Sequence, residues 1–334
     1  MGSQFVDLNG DGHLDYLTAT FDGSPHVAFG SAEGFGEPEH LKDAAGERIV
    51  ISSFWNYDDK AHQTTGRAFD VEAPPEERCV SAWAFDWDAD GDLDLLLGSY
   101  ENGHLYRRMN EGTDAAPRYT GKHVPVTAGQ APFELPAKMT APRLLDWDAD
   151  GDLDILAGSF GDSYGNAVGG GVYLSRNVGE AGSPRFAAQE TLIPPSSKGW
   201  SAPSRPDGGL YADAVDWDGD GDLDLLVGGY SIWKPEGREL DAEEKAEAER
   251  VQKALADLQQ RRMALNTTIR EEVDAAGEPT PGGDEWREAY AAARTRHEEE
   301  IRAHATEHAT LTAALEELIP SQKREAFVWL YERL

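Results

Sequence analysis

The sequence predicts a mainly β protein: a complete or partial β-propeller with four recognisable blades and an inserted antiparallel α-helical hairpin. Three observations carry that expectation. An acidic nonapeptide recurs four times, each copy lies between short apolar strands, and the composition changes abruptly near Asp241. Disorder does not account for the acidity. Of 334 residues, 40% are hydrophobic and nine are tryptophan, enough apolar mass for a core, and 35 glycines fit a chain of many turns.

The formal charge is −32, from 30 Lys and Arg against 62 Asp and Glu. A field of that sign repels phosphate backbones, so no nucleic-acid partner is expected. Anionic membrane surfaces are disfavoured likewise, and no apolar run reaches the roughly 18–20 residues that membrane insertion needs. A lone cysteine, Cys79, excludes an intrachain disulfide framework and any Cys-rich zinc module.

The first acidic stretch carries Asp7, Asn9, Asp11, His13 and Asp15, and the second Asp86, Asp88, Asp90, Asp92 and Asp94. The third carries Asp146, Asp148, Asp150, Asp152 and Asp154, and the fourth Asp216, Asp218, Asp220, Asp222 and Asp224. Carboxylates packed this densely repel one another unless a cation sits among them. Apolar strands precede the loops at Ala82–Phe85, Arg143–Leu145 and Ala212–Val215, and follow them at Leu95–Gly98, Ile155–Gly158, Leu225–Gly228 and, more loosely, Tyr16–Ala19. A third strand is expected at His104–Tyr106 and Val172–Leu174, then a turn with Asn110 or Asn177. Pro117-Arg-Tyr119 and Pro184-Arg-Phe186 are expected to open a fourth, outer strand. Four short strands per repeat of about 60 residues is the blade pattern of a propeller.

These units resemble the FG-GAP/VCBS repeats of integrin-α-type β-propellers, over residues 4–36, 80–235 and the last eight. The resemblance implies a calcium loop of the form Asp-x-Asp-x-Asp-Gly-x-x-Asp between the first two strands of a blade. Loops two to four match it throughout, whereas loop one has Asn9 at the third position, an oxygen donor without charge. The segment 41–80 lacks the motif and reads as an outer strand followed by a long loop.

Calcium takes six to eight oxygen ligands, which suits such loops; up to four structural Ca2+ ions are expected. The first, third and fifth side chains would converge, the seventh residue would offer its backbone carbonyl, and the ninth aspartate would close the shell. Gly12, Gly91, Gly151 and Gly221 supply the turn, and Leu14, Leu93, Leu153 and Leu223 should point into the blade. An EF-hand is excluded, because strands flank the loops and Leu97 stands where its twelfth-position Glu would be. Trp87, Trp147 and Trp217 alternate with the ligands and are expected to pack between blades.

The expected domains are the propeller blades at 1–240, the helical hairpin at 241–325 and a strand returning to the fourth blade at 326–334. Val251, Leu255, Leu258, Leu265 and Ile269 form one heptad-like stripe, and Trp286, Tyr290, Ala293, His297, Ile301, His304, His308, Leu311, Leu315 and Leu318 another. Gly277–Gly283 breaks the two helices, each expected to run some 50 Å at 1.5 Å per residue. His304-Ala-Thr-Glu307-His308 fits a His-x-x-Glu-His zinc pattern, but these histidines lie on the stripe and no third ligand is evident, so packing is the expected role. The fourth blade lacks an outer strand, so either a three-stranded last blade is tolerated or, the favoured expectation, the sequence is part of a longer chain.

No catalytic signature stands out. The resulting expectation is an extracytoplasmic (secreted, periplasmic or cell-surface) calcium-stabilised module that binds or scaffolds a protein or glycan partner, with the hairpin available for docking or self-association. The alternative is a propeller-type polysaccharide lyase or a lectin-like carbohydrate-active protein. A lyase would need a Tyr, His or Lys base and a positive groove, which the net charge disfavours.

Overall fold

The computed structural model describes residues 2–72, 74–161, 167–180, 182–275, 277 and 284–333. The chain divides into two compact units, Met1–Trp233 with Arg324–Leu334, and Lys234–Lys323.

The first unit is built of antiparallel sheets in which strands adjacent in sequence are neighbours in space. β1 (Ser3–Val6), β2 (Asp15–Ala19), β3 (Pro25–Ala28) and β4 (Glu39–His40) form the first sheet in that order. A separate hairpin follows, β5 (Ser53–Asn56) with β6 (Ala61–Thr64). The second sheet holds β7 (Cys79–Phe85), β8 (Asp94–Ser99), β9 (Leu105–Arg108) and β10 (Val124–Pro125), and a short ladder joins β11 (Thr127–Ala128) to β12 (Ala131–Pro132). The third sheet comprises β13 (Met139–Leu145), β14 (Asp154–Ser159), β15 (Val172–Ser175) and β16 (Glu190–Ile193). In the fourth, β17 (Gly208–Val215) and β18 (Asp224–Trp233) are joined by the late strand β19 (Lys323–Tyr331), which lies beside β18.

Consecutive sheets pack face to face. Leu17 and Val27 of the first share a core with Ala82, Leu95 and Leu97 of the second. Leu96 and Leu105 meet Leu144, Ile155 and Tyr173 of the third, and Leu156, Val172 and Leu174 meet Leu210, Leu225 and Val227 of the fourth. This explains why β8 and β14 read as unbroken apolar runs rather than alternating ones: every residue of each is buried, because both faces are covered. A fully buried leucine such as Leu96 contributes about 1.5–3 kcal/mol.

Three expectations change in this unit. The Pro-Arg-aromatic stretches do not open the outer strands. Tyr119 and Phe186 bridge back to Asn110 and Asn177, and the outer strands begin only at Val124 and Glu190. Each Asn Oδ1 accepts two backbone N–H groups across its turn, from Gly112 and Arg118 or from Gly179 and Arg185, and so closes the chain before the strand can start. Segment 41–80 is more than a loop, because it contains the β5–β6 hairpin. Among the leucines that follow the loop glycines, Leu93 and Leu223 pack on core residues, but Leu14 is 60% and Leu153 38% exposed.

The second unit holds α1 (Ala242–Ala275), α2 (Asp284–Arg296) and α3 (Glu298–Leu318). At 34 residues, α1 runs about 50 Å. The Arg238 guanidinium grips Glu244 while the Asp241 side chain accepts the Glu243 and Glu244 N–H groups, capping the start of α1. The return arm is not one helix. His297 leaves helical geometry at φ −102°, ψ 13°, and its Nε2 lies 2.7 Å from Glu272 Oε1 on α1. Leu265, Ile269, Val273 and Ala293 form the seam, with Trp286 stacked on Tyr290 beside it. Of the expected breaker Gly277–Gly283, residues 278–283 lie outside the described residues.

Candidate metal centres

Each acidic stretch joins the first two strands of a sheet: β1 to β2, β7 to β8, β13 to β14, and β17 to β18. Within a loop the first aspartate folds the turn onto itself. Asp86 accepts the Asp90 N–H at 3.2 Å on Oδ1 and the Gly91 N–H at 3.1 Å on Oδ2, and Asp146 does the same for Asp150 and Gly151. Asp7 holds Asp11 and Gly12 likewise, whereas Asp216 accepts the Gly219 N–H. The fifth aspartate then accepts the N–H of the seventh residue, as Asp90 does from Asp92. Gly91 and Gly151 take φ near +95°, and Ala89 and Ala149 are forced to +59° where loop four has Gly219.

The structure brings the first, third and fifth side chains together. Asp86, Asp88 and Asp90 each place a carboxylate oxygen within 4.8 Å of the others, as do Asp146, Asp148 and Asp150, and Asp216, Asp218 and Asp220. Loop one pairs Asp7 and Asp11 with Asn9, whose Nδ2 donates to Asp11. The ninth aspartate sits differently. Asp15, Asp94, Asp154 and Asp224 are buried, and each clips its loop to the far end of the third strand. Asp94 accepts the Trp87 N–H on one oxygen and the Asn110 N–H on the other; Asp154 joins Trp147 to Asn177 in the same way, Asp224 joins Trp217 to Arg333, and Asp15 joins Leu8 to Gly30. Burial pushes the Asp94 carboxyl up to about 6 against those two hydrogen bonds, with Asp88 and Asp92 adding to it.

Oxygens without protein partners show where a cation fits. Asp92 Oδ1 and Asp222 Oδ1, at the seventh position, are buried with no hydrogen-bond partner, as is Asp114 Oδ1. Burial and then Asp90, Asp114, Asp88 and Asp86 raise the Asp92 carboxyl. An orphaned carboxylate oxygen among other carboxylates is costly without a counter-ion, so these residues fit a hard, oxygen-loving cation.

Two contributors come from outside the nonapeptides and were missed in the sequence. Asp114, in the turn after β9, approaches loop two and also meets Gly10 of loop one. Arg176, after β15, places Nη1 2.5 Å from Asp148 Oδ2 and also pairs with Glu190. Neither has a counterpart in the sister repeat, where Ala181 and Met109 stand, so repetition gave no signal.

The tryptophans divide. Trp87 is 7% exposed against Phe186, in the segment between β15 and β16, and Trp147 is 8% exposed beneath the Arg333 guanidinium. Trp217 is 62% exposed, against the packing expected of it, because no described sheet covers that face. In the helices His304 is buried, His308 is exposed and Glu307 pairs with Arg261, and no group of three metal-ligating side chains forms there among the described residues.

Residues 86–157 match the family model of the FG-GAP-like repeat. The matched stretch runs from the first aspartate of loop two into β14, so the chain contains an FG-GAP-like repeat there. No curated protein matches the chain.

Proposed function

We propose that the chain is an extracytoplasmic, calcium-stabilised β-propeller module that binds a protein or glycan partner. The observation that carries this reading is the threefold grouping of first-, third- and fifth-position aspartates, with orphaned buried oxygens beside two of the groups, at loops two and four. Asp86, Asp88 and Asp90, with their equivalents, would hold Ca2+ through side chains, and Asp7, Asn9 and Asp11 would form the weakest-charged site. The ion supplies the positive charge that lets the carboxylates pack, and the ninth aspartate ties each loop to its sheet. Millimolar calcium fills sites of this class and cytosolic levels do not, which favours a location outside the cytoplasm. Among the described residues, no helix is long and apolar enough to cross a membrane.

A binding role rather than a purely structural one is supported by large apolar side chains left exposed in the first sheet and the loop after β3, Phe5 and Phe35, whose rings lie 6.0 Å apart. Clustered exposed apolar residues mark contact surfaces. The test is a glycan array and a protein-interaction screen, each with calcium and with EDTA. Calcium-dependent retention of a discrete partner supports the module, whereas shortened glycan products would identify a lyase instead.

A further inference from the structure

A second kind of cluster, with nitrogen as well as oxygen donors, lies at the far end of the first sheet, away from its acidic loop: Asp22, His26 and His40. His26 on β3 and His40 on β4 are directly opposite one another in the antiparallel register, with ring centroids 4.3 Å apart. Asp22, in the turn between β2 and β3, is buried beneath them, and its Oδ2 lies 2.9 Å from each Nε2. The other oxygen, Oδ1, is fixed by the Thr20 hydroxyl at 2.8 Å and the Ser24 N–H at 3.1 Å, so the carboxylate cannot turn away.

Oδ2 is oversubscribed. Besides the two imidazoles it faces the Tyr57 hydroxyl at 3.1 Å and Arg48 Nη2 at 3.2 Å. Two lone pairs do not hold three well-aligned hydrogen bonds, from both imidazoles and Tyr57, while the Arg48 Nη2 that donates to the Asp22 carbonyl crowds the same oxygen. A cation at the point of convergence resolves this, because each imidazole then offers a lone pair instead of a proton. The Nε2–Oδ2 separations of 2.9 Å are short of the roughly 3.3 Å edge of a tetrahedron with 2.0–2.1 Å bonds, so a few tenths of an ångström of outward movement admits the ion. We propose that Asp22, His26 and His40 form a mononuclear site for a zinc-class divalent cation, open on the side of Tyr57.

The donor set separates this site from the calcium loops. Two nitrogens and one oxygen favour Zn2+, Co2+ or Ni2+ over Ca2+ or Mg2+. The Arg48 guanidinium, fixed by the Asp22 and Trp55 carbonyls, offsets part of the Asp22 charge and leaves selection to the imidazoles. The histidines are 17% and 27% exposed at their side chains and Tyr57 is 56% exposed, so an ion and a further ligand reach the site from solvent. Three protein ligands leave the fourth position for water or a donor atom of a bound partner.

The test is a Co2+ titration of the chelator-stripped full chain in millimolar Ca2+, which keeps the acidic loops occupied. A His308→Ala background removes the helical His pair. One equivalent of Co2+ should develop the visible absorption of a low-coordinate site, and one equivalent of Zn2+ should bleach it. His26→Gln and His40→Gln, with melting curves checked, should each weaken Zn2+ binding by more than the roughly 10–100-fold that loss of a supporting residue costs. Tyr57→Phe should leave binding intact. Absence of saturable Co2+ and Zn2+ binding in the parent protein, or binding unchanged in both histidine variants, would overturn the proposal and leave a hydrogen-bonded cluster only.

Discussion

Loop two and loop three are identical through nine residues, Asp86 to Asp94 and Asp146 to Asp154, yet their surroundings differ in sign. Loop two receives an additional carboxylate from Asp114, and its Asp92 keeps a buried oxygen without a partner. Loop three receives a guanidinium: Arg176 occupies an oxygen of Asp148, the third-position side chain. The backbone turns match, with Ala89 and Ala149 at the same φ. Two copies of one motif therefore make two different electrostatic sites, and the difference is written in turns that follow β9 and β15. A motif fixes which atoms converge, while its neighbours set how strongly a cation is wanted there.

The largest expected effect comes from the first position. Asp86→Ala and Asp146→Ala each remove a side chain that holds two backbone N–H groups and would hold the ion. A native-state site at a hundred-fold excess of calcium stabilises by about 2.7 kcal/mol. Each variant should lose roughly that amount in millimolar calcium and much less in EDTA, as read by thermal melting. Asp92→Asn should cost less than Asp86→Ala. Equal losses would show that the seventh side chain binds as strongly as the first.

Acid sharpens the comparison from another side, because the sheet that carries loop two also buries His123. Burial first, then the Arg108 charge, lowers the His123 imidazole to about 3, against hydrogen bonding to the Ile51 and Val50 carbonyls. A histidine depressed in the folded state contributes stability that is complete above its unfolded value near 6.5 and is lost as pH falls from there towards 3. The loss is about 1.4 kcal/mol per pH unit, so roughly 2 kcal/mol at pH 5. Chemical denaturation in saturating calcium should show this decline for the parent chain and a flatter profile for His123→Gln. Equal slopes between pH 6.5 and 5 would remove His123 from the account.

The neighbours themselves should have smaller effects. Arg176→Met copies Met109 and frees Asp148, so calcium affinity at loop three should rise. Asp114→Ala copies Ala181 and should lower it at loop two. Exposed ion pairs are worth about 0.2–1 kcal/mol, which sets the expected shift at up to about five-fold in each direction by calcium titration. Smallest of all is the backbone correction. Ala89→Gly and Ala149→Gly relieve a left-handed alanine, an effect of order 1 kcal/mol partly cancelled by the flexibility of glycine when unfolded, and both loops should respond alike.

The same contrast explains what was legible in the sequence. The loops and the strands on either side were readable because the nonapeptide and its apolar flanks are local and repeat. The late strand was readable because Phe327–Tyr331 resembles earlier third strands. Arg176 and Asp114 were not, since each reaches a loop through a turn whose sequence does not repeat. The β5–β6 hairpin was hidden because its strands show no apolar alternation and its turn, Tyr57 to Lys60, carries neither glycine nor proline. His26 and His40, fourteen positions apart, meet only because β3 and β4 pair in one register. The break at His297 went unseen because the apolar stripe continues across it.

Calcium titration calorimetry of the chelator-stripped chain beside Asp86→Ala and Asp146→Ala tests the central claim most directly. The account predicts saturable calcium binding in the parent, loss of a tighter class of site in Asp86→Ala, and loss of a weaker class in Asp146→Ala. Absence of binding heat, or identical affinities lost from the two loops, would contradict it.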